Sequence, residues 1–505
     1  MASTLWVQAL AALLLLLAAM FAFTSARLVQ LALASVVASI FLSVAYLVSD
    51  SFTGAGITEA TVFHILYGID GLDVEVIAAP VLAGLAAIIG SIWLLRRAYR
   101  AARLKHVGIS VPTQLTLTGA CATFALLLHP TVLQSKELLA TALDVSRAQV
   151  LGNELAGLAE GVKPAPKRSV VYVYAESLER SFFDEKHFPQ LITELRQLER
   201  GALSFRGIRQ APMTDWTIAG MVASQCGVPL APFRYNPNDF TGVQHFMPGA
   251  TCLGDLLKSA GYRNSYVGGA DGSFAGKGRY YRDHGFDAVL GKHELSAQQA
   301  EPPPLSKWGV YDDLMFDAAY REYTRLASAP GPFSLVVLTL DTHPTDGHRT
   351  PACRDLPRYL EGTNPMLDAV RCADHLVAAF VRRIEAHAAA NGIDLVVVVG
   401  SDHLMQPSTA TPLLETMQAQ RENLLFVRGR GIDPGVVTRD ATTLDVAPTL
   451  LRLLGAPVET LALGRDLLMP APTLSEKYGR ERFFDLVQHW RLALWRVWDA
   501  GGKGV

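Results

Sequence analysis

Three groups of acid and imidazole side chains stand immediately after apolar, β-branched runs. Glu176 follows SVVYVYA at 169–175. Asp341, Thr342 and His343 follow FSLVVLTL at 333–340. Ser401, Asp402 and His403 follow DLVVVVG at 394–400. Carboxylates with an imidazole can hold a divalent cation. Such an ion polarises a phosphoryl oxygen and lowers the pKa of a bound hydroxyl. The segment APMTDWTIAGMVASQCGVPL at 211–230 offers that hydroxyl at Thr214 or Thr217. A threonine is poorly nucleophilic until it is deprotonated, which a metal can promote. If a helix opens here, its first N–H groups can hold the attacked phosphate. Each feature also has a purely structural explanation. Glu176 suits a helix N-terminus, Thr214 or Asp215 suits an N-cap, and Asp402–His403 suits a turn. Three such groups at three strand ends point instead to metal-dependent transfer on a phosphate or sulfate ester.

These residues need a framework that brings distant strand ends together. Helical patterns at 187–200, 252–260, 311–326 and 366–389 alternate with the apolar runs. A short strand at 203–208 precedes the threonine segment, and a helix is expected through Met221. Strands alternating with helices predict an α/β sheet covered on both faces. In such sheets, sites form beyond the carboxyl ends of the strands. The expected catalytic domain is 169–480. A connector at 138–168 precedes it, helical in its first half and ending in GVKPAPKR.

Residues 1–137 predict a transmembrane domain. Apolar runs at 5–24, 28–49, 76–95 and 113–134 are each long enough to cross a bilayer, giving a bundle of four membrane helices. The loop holding Arg96, Arg97, Arg100, Arg103 and Lys105 belongs in the cytoplasm. The loop with Glu59, Asp70, Asp73 and Glu75 lacks Lys and Arg and belongs outside. Four crossings place the chain beyond residue 135 outside, in the periplasm of a bacterium. There Cys226, Cys252, Cys353 and Cys372 can form two disulfides. The sequence does not fix the pairing, and Cys226–Cys252 with Cys353–Cys372 is the short-loop expectation. No CxxC pair suggests a zinc-thiolate site. Mean hydropathy of +0.22 with 18% charged residues fits a membrane protein. A net charge of −2 with no basic stripe argues against a nucleic-acid partner. The stretch 481–500 is amphipathic and carries three tryptophans, which suit docking on the domain or the bilayer interface.

The motifs resemble the alkaline-phosphatase and sulfatase superfamily, and within it the branch of lipoteichoic acid synthases and periplasmic phosphoglycerol transferases. The carrying segments are VYVYAESLERSFFDE at 171–185, GMVASQCGVPL at 220–230, PGATCLGDLLKSAGY at 248–262, GGADGSFAGKGRYYRDHGFD at 268–287, WGVYDD at 308–313, TLDTHPTDGH at 339–348, GSDH at 400–403 and TTLDVAPTLLRLLGAP at 442–457. The resemblance implies a sandwich around a central, mostly parallel sheet. It implies one divalent ion, manganese or magnesium, held by Glu176, Thr214, Asp402 and His403. It implies Thr214 as the nucleophile and His343 as a contact to the transferred phosphate. Lys277 stands where the lipoteichoic branch has an arginine, and Trp216 where that branch has an aspartate. The implied reaction moves phosphoglycerol from phosphatidylglycerol to periplasmic, osmoregulated glucans through a phosphoglyceryl-threonine. It releases diacylglycerol at the bacterial inner membrane, with a multi-pass anchor and a periplasmic catalytic domain. Phosphoethanolamine transfer and sulfatase or phosphodiesterase chemistry are the alternatives. The C/S-x-P-x-R context of sulfatases is missing from the threonine segment.

Overall fold

The computed structural model describes residues 26–53, 74–102, 110–143, 167–231 and 245–490, together with isolated positions within 13–18 and 56–61 and residues 154 and 494. The chain divides into two compact units, and the first closes at Leu143.

The first unit contains α1 (Ala26–Thr53), α2 (Val74–Ala102), α3 (Val111–Leu127) and α4 (Pro130–Leu143). Phe41, Leu82, Ile89, Trp93 and Leu94 remain exposed on it. Large apolar surfaces of this kind mark membrane contact, and this unit is membrane-associated. The four-helix bundle expected from the sequence is corrected here. Among the described residues, two helices are long and apolar enough to cross a membrane, Arg27–Asp50 and Ala78–Arg97. The number is three if Val111–Leu127 and Pro130–Lys136, bent by 61°, form one span. The expected run at 5–24 lies almost wholly outside the described residues. The run at 113–134 breaks because Pro130 has no N–H to continue the helical ladder. Polar partners hold the break: His129 Nε2 is 3.0 Å from Ser43 Oγ, and Thr131 Oγ1 donates to Leu42 O at 2.7 Å.

The second unit is built on eight strands: β1 (Ser169–Ala175), β2 (Leu203–Arg209), β3 (Arg263–Gly268), β4 (Ala288–Leu290), β5 (Phe333–Leu338), β6 (Leu395–Ser401), β7 (Leu425–Gly429) and β8 (Gly435–Thr442). Their order is β8-β2-β7-β6-β1-β5-β3-β4. β7 is antiparallel to both neighbours, and the remaining pairs are parallel. β1 lies between β5 and β6, with Val171 beside Leu335 and Val397. Three strand ends therefore meet at one edge, which is the geometry that the three polar groups require.

β1 is buried on both faces, and its alternation separates two environments. Val171, Val173 and Ala175 join the main apolar cluster with residues of α9 (Asp312–Ala327) and α10 (Pro365–Ala390). Tyr172 and Tyr174 point the other way and stack at 4.0 Å. Tyr174 OH lies 2.6 Å from Ser224 Oγ, and Gln225 Nε2 donates to it at 3.3 Å. Both partners belong to α6 (Thr217–Cys226). The tyrosine face thus fixes the helix that carries Thr217 against the strand that carries Glu176.

Two disulfides join Cys226 to Cys252 and Cys353 to Cys372, the short-loop pairing. Cys226 ends α6, and Cys252 is the N-cap of α7 (Leu253–Ser259). Replacing both Cys226 and Cys252 by serine is expected to destabilise the second unit by about 2–5 kcal/mol. A calorimetric melt reads this directly, and an unchanged Tm would contradict it. At the other end of the unit, α12 (Arg480–His489) buries Phe483, Leu486 and Val487, with Trp490 beyond it. This part of the amphipathic stretch packs on the domain. Trp495 and Trp498 lie outside the described residues.

Candidate active site and cation-binding trio

Glu176, Asp402 and His403 bring one ligand atom each to within 4.8 Å of one another, and all three are buried. His403 Nε2 is 3.3 Å from Glu176 Oε1 and 3.3 Å from Asp402 Oδ2. Glu176 arrives on the turn after β1, where Ser177 takes a left-handed conformation with φ 56°. Such strain in a non-glycine residue is tolerated where surrounding bonds impose it. Here Ser177 N donates to Asp402 Oδ1 at 2.9 Å, and Ser177 Oγ donates to Glu176 Oε1 at 3.0 Å.

Asp402 Oδ1 also accepts His403 N at 2.8 Å. Its Oδ2 has no hydrogen-bond partner, so one oxygen is anchored and the other is left for a cation. His403 Nδ1 lies 2.7 Å from Leu404 O. Donation there leaves the lone pair on Nε2, the arrangement in which a histidine can ligate a metal. Burial disfavours every charge in the trio. It pushes Asp402 well above the usual carboxylate range. Burial also opposes a charge on His403, yet Asp402 and Glu176 override it and raise the imidazole to about 10. Burial likewise opposes ionisation of Glu176, but the His403 charge holds that carboxyl far below its ordinary value. Ionising both buried carboxyls together would require more positive charge than one proton on His403 supplies. A divalent cation meets that demand, and the mixed oxygen and nitrogen donor set fits one.

The loop after His403 is clamped from behind. Arg421 reaches Glu179 through Nε at 2.9 Å and Nη2 at 2.5 Å. Glu179 Oε2 in turn accepts Met405 N at 2.9 Å. α6 approaches the same loop so closely that a Cβ on Gly220 would lie 1.9 Å from Asp402 O. Only glycine permits that contact.

The two candidate threonines separate here. Thr214 is buried, and its hydroxyl donates to Ala211 O at 2.7 Å. Trp216, extended at φ −141°, is the N-cap of α6, so Thr217 is its first residue. Thr217 Oγ1 donates to Glu176 Oε2 at 3.3 Å. The structure therefore sets Thr217 against the trio and occupies the Thr214 hydroxyl within its own loop.

Lys277 opens α8 (Lys277–Asp283) after Gly276 in the left-handed region. It is buried, with Nζ 4.6 Å over the Phe274 ring. Burial lowers it to about 8, against the pull of Glu176, Asp271 and Asp402. His343 lies with its ring 3.9 Å from that of Trp308, and its Nδ1 is 3.0 Å from Pro344 O. Desolvation pushes this imidazole down to about 4, so it is neutral. The packing of Trp308, the Glu179–Arg421 clamp and the role of Ser177 were not read from the sequence. Of these, Trp308 lay within WGVYDD and Ser177 and Glu179 within VYVYAESLERSFFDE, while Arg421 lay in no motif. Cys252, Asp255 and His284 also cluster. They make no cation site, because Cys252 Sγ is bonded to Cys226. Both His284 nitrogens are engaged as well, with Asp255 at 2.8 Å and Phe246 O at 3.0 Å.

Fold and trio together present a candidate site for a divalent cation at the strand ends of an α/β sheet, and sequence comparison places this fold in a family. Residues 168–456 match the sulfatase family. Residues 4–149 match the N-terminal domain of phosphoglycerol transferase I. The chain belongs to the sulfatase family, and it is similar to proteins named phosphoglycerol transferase I. It is 38% identical over 427 residues to phosphoglycerol transferase I of Xanthomonas euvesicatoria pv. vesicatoria, covering 83% of this chain and 59% of that protein. It is 35% identical over 472 residues to the Escherichia coli protein of that name, covering 91% and 59%. The chain thus spans about three fifths of the length of these curated relatives. A Vibrio parahaemolyticus protein of the alkaline phosphatase superfamily shares the fold, with a TM-score of 0.50 and 21% identity. That likeness covers 67% of this chain and 80% of the other.

Proposed function

We propose that this chain transfers phosphoglycerol from phosphatidylglycerol to a periplasmic glucan, through a covalent intermediate on Thr217. The observation that carries this reading is the Thr217 hydroxyl, 3.3 Å from Glu176 at the start of α6. The similar Xanthomonas and Escherichia coli proteins are named phosphoglycerol transferase I, which supports phosphoglycerol as the transferred group.

Glu176, Asp402 and His403 would hold a manganese or magnesium ion, with Thr217 beside it. When bound, that ion lowers the pKa of a nearby hydroxyl and offsets charge on phosphoryl oxygens. Thr217 Oγ forms a bond to phosphorus as the bond to the diacylglycerol oxygen breaks, and the threonine proton ends on that departing oxygen. A glucan hydroxyl then bonds to phosphorus as the Oγ bond breaks, and its proton returns to Thr217 Oγ. Splitting the displacement in two lowers each barrier. The N–H groups at the start of α6 face the phosphate oxygens. Lys277 adds positive charge there. His343, neutral and fixed at Nδ1 by Pro344 O, offers Nε2 to the transferred group.

The test is turnover of phosphatidylglycerol vesicles with and without periplasmic glucan. Diacylglycerol release with glucan-bound glycerol phosphate is expected. No release of diacylglycerol from phosphatidylglycerol, with turnover of phosphatidylethanolamine or of a sulfate ester offered in its place, would refute the donor assignment.

The site is proposed to face the periplasm of a bacterial inner membrane. The basic loop at 96–105 and the two disulfides both favour this. A reporter fused after residue 160 should be active only when exported, and one fused within 98–104 should be cytoplasmic. The reverse pattern would overturn the orientation.

A further inference from the structure

The segment carrying His343 is tied to the start of α9 by a reciprocal pair of side chains. Asp312, the first residue of α9, accepts Leu340 N on Oδ1 at 2.7 Å and Asp341 N on Oδ2 at 3.0 Å. Asp341 Oδ2 accepts Asp312 N at 3.1 Å. Each buried carboxyl thus grips the other residue's backbone. The ties continue into the site. His343 N donates to Leu340 O at 3.0 Å, and His348 N donates to Asp341 O at 2.6 Å. Thr342 Oγ1 donates to Glu176 O at 2.5 Å.

We infer that Asp312 and Asp341 form a clasp, each carboxyl holding the other residue's backbone, that positions His343 beside the cation-binding trio. The positioning role rests on the transfer reading above. The clasp itself rests on the bonds just described.

The two members are not equivalent. Asp312 spends both oxygens on N–H donors, which favours its anion. Asp341 accepts one N–H, and its Oδ1 has no hydrogen-bond partner. Two buried carboxylates with no cation beside them are strongly disfavoured as a pair of anions. Among the described residues, the charges and phenol acting on the pair are Asp313, Tyr311 and Glu176, none of them cationic. Burial raises Asp312 to about 7, with Asp313 and Glu176 adding to it against its two N–H donors, and raises Asp341 to about 10, with Asp312 and Asp313 adding to it. The proton therefore resides on Asp341, and Asp312 is the acceptor that fixes the strand end.

The variants Asp312→Asn and Asp341→Asn separate this clasp from ordinary packing. Asp312→Asn turns an amide N–H toward a backbone N–H, so the strand end loses an acceptor and His343 shifts. Diacylglycerol release should fall about 10²-fold, the usual penalty for misplacing a reacting group by about 1 Å. Bound manganese should be unchanged. Asp341→Asn keeps the neutral form and should stay near the wild-type rate. The second readout is infrared: the wild-type protein at neutral pH should show a protonated-carboxyl stretch that Asp341→Asn removes. A wild-type rate in Asp312→Asn, equal slowing of both variants, or no such band would overturn the inference. If Asp312→Asn does not fold, the band and its loss in Asp341→Asn decide. If the wild type releases no diacylglycerol, the transfer reading fails, and the same band still decides the clasp.

Discussion

Thr217→Ala is expected to abolish the phosphoglyceryl adduct and to reduce transfer by about 10⁴-fold or more, since removing a nucleophile leaves only binding and electrostatic catalysis. The hydroxyl lost is the one that donates to Glu176 Oε2. At the first position of α6 its removal leaves backbone bonding untouched, so the protein should fold. Thr214→Ala deletes a bond to Ala211 O and should cost about 1 kcal/mol of stability, with turnover still measurable. Peptide mass analysis after incubation with phosphatidylglycerol decides between them. Glycerol phosphate on Thr214, or an adduct persisting in Thr217→Ala, would remove the proposed nucleophile.

Asp402→Asn should remove bound cation and drive activity to the assay floor. The asparagine oxygen can still accept Ser177 N and His403 N, so the turn survives while the charge at Oδ2 is gone. Manganese should raise the Tm of the wild type by mass action, through RT ln(1 + [L]/Kd), and leave the variant unmoved. After chelation the order reverses. Burial pushes the Asp402 carboxyl well up, so its anion opposes folding when no cation is bound. The variant should then be the more stable of the two, by a margin of about 1–4 kcal/mol. Elemental analysis showing full manganese in Asp402→Asn would sink the site.

The sheet core was legible where a strand is buried on both faces. The expected strands at 169–175, 333–340 and 394–400 correspond to β1, β5 and β6, because parallel central strands need unbroken apolar runs. The outer strands β3, β4, β7 and β8 carry no such run and were not read. The helix expected at 187–200 begins only at Glu194. Its start is set from far along the chain: Asp374 on α10 accepts Thr193 N, Glu194 N and Leu195 N at 2.8, 2.9 and 2.7 Å. A cap donated by another helix leaves no local signature. The four-span reading failed at His129–Pro130 for a related reason. Apolar content sets whether a segment can lie in lipid, while the proline sets whether it stays straight. Glu176, Asp402 and His403 were legible because polar residues directly after buried strands can reach one point. The choice between Thr214 and Thr217 depends on where a helix begins, and Trp216 as N-cap is a poor sequence signal.

Gly220 bears on how this site can respond to a ligand. With a hydrogen where any other residue carries a carbon, α6 lies directly on the Asp402 carbonyl, and no side chain stands between them to rotate or compress. The helix bearing Thr217 and the turn bearing Asp402 and His403 are therefore a single mechanical part. Neither can be adjusted alone. Under the proposed transfer reaction, a donor would come to a fixed spacing between hydroxyl and cation, and adaptation to differently sized acceptors would fall to other elements.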